Sequence, residues 1–214
     1  MDTVSYFARA IRWNPLGIAA ALACAIVALR HNSDAAAPLQ ITAILLASAA
    51  GFVFDDPAGE LLDTAPPTLL RRRLARLTVV AVPTIGLWVV LFFVQGPGSS
   101  EEACALTAMF AGLLGLAVGI AGVANRRTNS GNGGLAEGPA LLIALFASTA
   151  LPPRWRPLPM GDIPGGWAAI DIRWITASLI GVSVFVWSSR DRARRSAVKI
   201  PARWIVSSRA KSSW

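Results

Sequence analysis

The segment 54–76 holds the densest group of polar side chains in this sequence. Four acids come first and four arginines follow them: Asp55, Asp56, Glu60 and Asp63, then Arg71, Arg72, Arg73 and Arg76. Carboxylate oxygens can serve as ligands for a hard divalent cation such as Mg²⁺. They can equally form the charged rim of a surface that binds a partner protein. The segment therefore predicts either metal-dependent chemistry or protein docking.

The metal-dependent interpretation is the weaker of the two. Membrane prenyltransferases hold Mg²⁺ on aspartate-rich loops, but they need a second such motif facing the first, and this sequence has only the one at 55–63. The spaced Asp, Gly and Arg pattern of CDP-alcohol transferases is missing as well. A magnesium-dependent prenyl or lipid transferase stays an alternative, and we assign no catalytic residue, metal ligand or cofactor-binding residue.

The docking interpretation gives a role to the residues between the prolines. Pro57 can begin a short helix, and Pro66 and Pro67 end it. Leu61 and Leu62 would then be apolar anchors in the groove of a soluble partner, with the acids around them. The predicted docking residues are Asp55, Asp56, Glu60, Leu61, Leu62 and Asp63. The four arginines that follow would anchor the next helix at the lipid headgroups.

These polar residues lie between apolar stretches that can cross a bilayer. The mean hydropathy is +0.54 and only 15% of the residues are charged, whereas soluble domains carry about 25%. A bilayer core of about 30 Å needs roughly 17–25 helical residues. We predict an all-α polytopic membrane protein with six transmembrane helices, at about 15–31, 38–54, 77–95, 101–123, 137–152 and 172–188. Residues 1–14 would form an interfacial helix, 15–189 the transmembrane domain and 190–214 a basic cytoplasmic tail.

The distribution of basic residues predicts the orientation. Of the 20 Lys and Arg residues, 16 fall in the N-terminal segment, the loops after spans two and four, and the C-terminal tail. The other segments hold only Arg30, Arg154, Arg156 and Arg173. Because positively charged loops stay in the cytoplasm, both termini are predicted to be cytoplasmic. This bias also accounts for the net charge of +8, so we expect contact with the lipid bilayer and no nucleic-acid partner.

Span four carries the clearest packing signal. Its glycines follow one another at i, i+3, i+7 and i+10, which places them on one helical face: Gly112, Gly115, Gly119 and Gly122. Small residues let two helix backbones approach closely in a membrane. The glycine face is therefore predicted to pack against another helix, in this chain or in a second one. The same helix begins with a capping box, in which Ser99 is the N-cap and Glu102 follows three residues later.

The whole plan resembles the permease of type-2 ATP-binding-cassette exporters. It has six spans, an N-terminal interfacial helix, a cytoplasmic segment between spans two and three, and an irregular outer segment between spans five and six. The stretch Phe54-Asp55-Asp56-Pro57-Ala58, with Pro66-Pro67 and the arginines after it, is similar to small actinobacterial membrane proteins associated with transporters. The resemblance implies a permease subunit for efflux in the cell membrane, working as a dimer.

The same resemblance implies that a separate ATPase subunit is the partner. No phosphate-binding loop of the Walker type occurs in this sequence, so ATP and Mg²⁺ would bind only to that partner chain. Charges are nearly absent from the spans, which argues against a proton- or ion-coupled carrier. The alternative is a membrane accessory or sensor subunit that does not itself transport.

Overall fold

The computed structural model describes residues 13–29, 36–52, 69–128 and 166–189, with the isolated helical positions 138, 140, 141 and 143. Apart from those four positions, the described residues form five helices and no strand. The helices are α1 Asn14–Leu29, α2 Ala36–Gly51, α3 Leu69–Gln95, α4 Ser100–Thr128 and α5 Gly166–Ser188. The predicted all-α class is confirmed for this part of the chain.

Two stretches are long and apolar enough to cross a membrane, Arg73–Gln95 in α3 and Ser100–Arg126 in α4. Helices α1 and α2 are also apolar but have 16 residues each, about 24 Å of helix. Their bounds differ from the predicted spans 15–31 and 38–54 by one to three residues.

The other predicted segments agree with the described helices only in part. Helix α3 begins eight residues before the predicted span 77–95, because the helix continues through the arginines beyond the apolar stretch. Helix α5 likewise begins before the predicted span 172–188. Of the predicted span 137–152, positions 138, 140, 141 and 143 are described, and all four are helical. Residues 1–12 and 190–214 lie outside the described residues.

Helix α4 begins with the predicted cap. The Ser99 hydroxyl accepts a hydrogen bond from the Glu102 backbone N–H at 3.2 Å, so one of the exposed N–H groups of the first turn is satisfied. The Glu102 carboxylate reaches back and accepts from the Gly98 N–H at 2.9 Å. The reciprocal bond of the capping box therefore goes to the residue before the N-cap.

Helices α1 to α4 alternate in direction. One buried cluster contains Leu16 from the start of α1, Ala50 from the end of α2, Val80 from the first half of α3 and Ala121 from the second half of α4. Phe185, near the end of α5, belongs to the same cluster. The starts of α1 and α3 and the ends of α2, α4 and α5 therefore lie toward the same end of the bundle.

Helices α4 and α5 run parallel to each other. Gly112 of α4 is closest to Trp174, early in α5, and Gly122 is closest to Ser188, at its end. Because parallel neighbours begin at the same end, the end of α4 and the start of α5 lie at opposite ends of the pair. Leu141, on the connection between them, is buried in the main core cluster.

Large side chains fill the interior of the bundle between α2, α3 and α4. The most completely buried include Leu39, Leu46 and Met109. The Trp88 and Phe110 rings stack with centroids 4.6 Å apart and an interplanar angle of 7°. Dense packing of this kind gains many small dispersion contacts and fixes the positions of α4 and α5, which carry the site described next.

Candidate functional site

The predicted docking segment lies outside the described residues. Asp55, Asp56, Glu60, Leu61, Leu62 and Asp63 all fall within 53–68, so their docking role stays a prediction. The structure does describe the two helix ends that flank them, since α2 ends at Gly51 and α3 begins at Leu69. Both ends lie at the end of the bundle where α4 and α5 also end. Any partner that binds this segment would therefore approach that end.

The centre of the glycine face lies directly against the backbone of α5. A Cβ atom added at Gly115 would lie 3.0 Å from Ser178 Cα and 3.1 Å from its carbonyl oxygen. A Cβ atom added at Gly119 would lie 2.8 Å from the Gly181 carbonyl oxygen. These distances are shorter than ordinary van der Waals contact, and the obstructing atoms are backbone. The two helices can approach this closely only because both positions lack a side chain.

The ends of the same face meet side chains. A Cβ atom added at Gly112 would lie 2.5 Å from Cε3 of the Trp174 ring and 2.8 Å from its carbonyl oxygen. A Cβ atom added at Gly122 would lie 2.5 Å from the Ser188 hydroxyl, while the next atoms are 3.6 Å away. The glycine face therefore contacts α5 over its whole length, within this chain.

Helix α5 contributes small residues of its own that sequence analysis did not assign. Ser178, Gly181 and Ser188 follow at i, i+3 and i+10, so they lie on one face. A Cβ atom at Gly181 would clash with the carbonyl group of Gly115. This helical spacing of small residues was the available signal, but it is shorter and less regular than the glycine series of α4.

An apolar groove lies beside this contact. It has a volume of about 350 Å³ and is lined by α4, by α5 and by Ala140. All of its lining residues are apolar, among them Ile120, Val123, Ile180 and Val184. Gly119 and Gly181 also line it, so the missing side chains that allow the helices to approach also leave space at the edge of their contact.

Arg73 binds the end of α5. Its Nη1 donates to the Ser188 carbonyl oxygen at 3.3 Å and to the Ser189 hydroxyl at 3.2 Å. A cation next to the C-terminal carbonyl groups of a helix is favourable because those groups carry partial negative charge.

The headgroup role of Arg73 and Arg76 stays a prediction, but their side chains are covered by other residues of this chain. Both are buried, with 8% and 6% of their surface exposed. The acceptors of Arg73 belong to a helix more than one hundred residues away in sequence, which no local pattern could indicate. Arg71 and Arg72 lie in the first turn of α3, and their headgroup role stays a prediction.

Arg126 closes the same end of the α4–α5 pair. Its Nη1 donates to the Trp187 carbonyl oxygen at 2.7 Å. Its guanidinium carbon lies 4.4 Å from the centroid of the Trp187 ring, within the range of a cation–π interaction. We use the name arginine end for the end of the bundle that carries Arg73, Arg76 and Arg126.

The opposite end of the pair is acidic. Glu101 and Glu102 lie in the first turn of α4, and Asp171 lies near them in α5. Burial and the neighbouring Glu101 carboxylate raise the pKa of Asp171 above its ordinary value. One oxygen of the Asp171 carboxylate and one of Glu102 are buried without a hydrogen-bond partner. Among the described residues, the acids thus lie at one end of the bundle, together with Arg173, and the other arginines lie at the opposite end.

The described side chains form a close helix contact and an apolar groove, but they assemble no metal site. Among them, no group of three or more His, Cys, Asp or Glu residues could hold a metal ion. Cys24 and Cys104 are both exposed on helix surfaces and form no disulfide. Comparison of the chain with protein-family models, curated proteins and solved structures found no match.

Proposed function

We propose that this chain is a six-span protein of the cell membrane that serves as the permease-type subunit of a transporter driven by a separate ATPase. The observation that carries the proposal is the polarity of the helical bundle. Its outer surface is apolar, its acids lie at one end, and its described arginines except Arg173 lie at the other. The docking segment joins the bundle at the arginine end.

The apolar outer surface supports a bilayer environment. Large apolar side chains are exposed on several helices, including Leu22 at 48%, Phe93 at 77% and Leu179 at 65%. In water, apolar surface on this scale marks an interaction site or an aggregation hazard. Next to lipid chains it is the expected outer surface of a membrane helix.

The division of charge supports the proposed orientation. Arg73, Arg76 and Arg126 lie at one end, and Glu102 and Asp171 lie at the other. Basic residues favour the cytoplasmic side of a membrane, so the arginine end would face the cytoplasm. An ATPase would reach the docking segment from that side.

The parallel arrangement of α4 and α5 supports a sixth crossing. If both helices cross the membrane in the same direction, the connection between them must cross in the other direction. The helical positions 138, 140, 141 and 143 lie on that connection, where the sequence predicts the span 137–152.

One observation favours the accessory alternative. The described interior is filled by Leu39, Leu46, Met109 and the stacked pair of Trp88 and Phe110. A single copy packed in this way offers no passage through the described bundle. Transport would then need a path between two copies, whereas an accessory or sensor subunit needs none.

Cysteine labelling tests the orientation. Cys24 and Cys104 would first be replaced by alanine, since both are exposed and contribute little packing. Ser99→Cys and Ser130→Cys would then be treated, one at a time, with a membrane-impermeant maleimide in intact cells. We expect labelling at position 99 in intact cells and at position 130 only after permeabilisation. The reverse pattern would contradict the proposed topology.

Copurification tests the ATPase partner. The chain would be expressed with a candidate ATPase chosen from the genes that neighbour its own, and the complex would be isolated in detergent. The double variant Leu61→Ala/Leu62→Ala should lose the ATPase, because central apolar anchors dominate protein interfaces. Leu22→Ala/Leu179→Ala, which changes two exposed leucines of the apolar surface, should retain it. Full ATPase binding by the first variant would reject the docking role.

The transferase alternative predicts a different outcome in the same preparation. Asp55→Asn and Asp63→Asn would abolish a Mg²⁺-dependent turnover of a prenyl or nucleotide-lipid substrate while leaving any complex intact. If the chain purifies alone and carries out such a turnover, the transporter proposal is wrong.

A further inference from the structure

The groove beside the α4–α5 contact has the dimensions of a binding site for part of a chain-like apolar molecule. Its volume of about 350 Å³ lies at the lower end of the range of small-molecule pockets, about 300–1,000 Å³. Every residue that lines it is apolar. An open groove with such a lining favours apolar ligands.

The groove leads along both helices toward a fixed positive charge. On α4 the lining positions Gly119 and Val123 follow each other at helical spacing, and Arg126 continues that line as i+7 from Gly119 and i+3 from Val123. On α5 the lining positions 180 and 184 continue to Trp187 in the same way. Arg126 and Trp187 contact each other through the 2.7 Å hydrogen bond and the ring contact. The pair therefore stands at the arginine end of the groove.

The contact with Trp187 fixes where the Arg126 charge lies. A guanidinium has five N–H donors in one plane, and the ring and the carbonyl oxygen orient that plane. Arg73 is held close by through its bonds to Ser188 and Ser189. A positive potential at the end of an apolar groove is complementary to an amphiphile with an anionic head.

We propose that the groove binds one acyl chain of an anionic phospholipid of the cytoplasmic leaflet, with the phosphate group next to Arg126. The proposal rests on the membrane location and orientation proposed above, but not on transport or on an ATPase. Other occupants, such as a zwitterionic lipid or a helix of a second copy, give different results in the experiment below.

Native mass spectrometry of the purified full chain tests this site. The delipidated protein in detergent would be titrated with dioleoyl phosphatidylglycerol and, separately, with dioleoyl phosphatidylcholine. We expect one tight phosphatidylglycerol, bound about fivefold more strongly than phosphatidylcholine. Both lipids carry a phosphate, but the choline cation cancels its charge in phosphatidylcholine, and one basic residue next to a net anionic headgroup contributes a factor of that order. Equal affinity for the two lipids would overturn the proposed headgroup contact.

Two pairs of variants separate the charge from the groove. Arg126→Gln should remove the preference for phosphatidylglycerol, whereas Arg126→Lys should keep most of it. Ala140→Phe fills the groove and should lower the affinity for both lipids. Ile143→Phe, at a position 68% exposed in the same stretch, should leave both affinities unchanged. Folding of each variant would be checked by gel filtration and circular dichroism. If Ala140→Phe fails to fold, the Arg126 pair still decides the headgroup contact.

Several outcomes would reject the proposal. Unchanged lipid binding in Ala140→Phe would place the lipid elsewhere. If the protein is a dimer that Ala140→Phe dissociates, and the bound lipid does not change, the groove is an interface between two copies of the chain. If alkaline carbonate releases the chain from membranes, the protein is not an integral membrane protein. The lipid site and the proposed function would then both be wrong. If the copurification experiment finds no ATPase partner but the protein stays in the membrane, only the transport function is wrong, and the lipid-site proposal stands.

Discussion

Gly181→Ala is the sharpest test of the α4–α5 contact, because it adds a single methyl group where two backbones meet. The new Cβ atom would lie 2.7 Å from the Leu116 backbone nitrogen and would also clash with the Gly115 carbonyl group. Neither obstructing group is a side chain that can rotate away. The two helices must therefore separate, or their backbones must distort.

The size of the effect follows from that distance. Ordinary contact begins near 3.4 Å, so the Leu116 nitrogen alone requires the helices to separate by about 0.7 Å, and the closer Gly115 carbonyl group requires more. A gap of this size forfeits about a quarter to a half of the dispersion energy of each contact along the pair. Overpacking of this kind typically costs about 1–3 kcal/mol. The higher helix propensity of alanine offsets it by up to about 1 kcal/mol.

Gly86→Ala is the matched control. Gly86 also lies in a helix, but a Cβ atom added there would meet nothing within 4 Å. This variant therefore gains the propensity term alone, and the two variants should differ in unfolding free energy by about 1–3 kcal/mol. Reversible unfolding in mixed micelles of increasing dodecyl sulfate content, followed by tryptophan fluorescence, measures the difference. If Gly181→Ala is as stable as Gly86→Ala, the close approach of the two backbones is wrong.

Three further predictions concern the ends of the same helix pair. Gly122→Ala should destabilise the wild type, and it should destabilise the Ser188→Ala variant less, because the Ser188 hydroxyl alone obstructs the new methyl group. A double-mutant cycle should give a coupling energy of about 0.5 kcal/mol or more between the two positions. Additive effects of the two substitutions would contradict this contact. Arg73→Gln should lower the unfolding free energy by about 1.5–3 kcal/mol through loss of a charged donor. Ser189→Ala should lower it less, because the Ser188 carbonyl oxygen remains as an acceptor for Arg73. Equal losses in the two variants would oppose the role of the Ser188 carbonyl oxygen. The pKa of Asp171 is raised in the folded state, so its contribution to stability is present in full below pH 3.8 and is lost as the pH rises through the folded-state pKa. Asp171→Asn should remove this loss of stability. If the variant unfolds with the same pH dependence as the wild type, Asp171 is not the group responsible.

Local patterns in the sequence predicted several features of the fold that the described residues bear out. The apolar stretches predicted helices, and the described elements are all helical. The cap at the start of α4 was also predictable, because Ser99 and Glu102 interact over only three residues. Such features depend on neighbours along one helix, so their spacing in the sequence is sufficient evidence.

Other predictions from the sequence concern residues that the structure does not describe. The docking role of 55–63 depends on a partner, and the six-span plan depends on 137–152, of which four positions are described. These statements stay predictions. Composition and spacing indicated that 55–63 is acidic with two leucines and that 137–152 is apolar. They contain no information about which molecule or helix contacts these segments.

The sequence by itself determined which face of α4 could pack closely, since Gly112, Gly115, Gly119 and Gly122 recur at helical spacing. Only the tertiary structure decided that α5 covers this face and runs parallel to α4, because a smooth helical face accepts any backbone of suitable shape. The same holds for Arg73 and Arg76, which a local pattern of charge places at the membrane surface. Arg73 donates to acceptors at the end of α5, and contacts between residues so far apart in the chain are fixed by packing and not by sequence spacing.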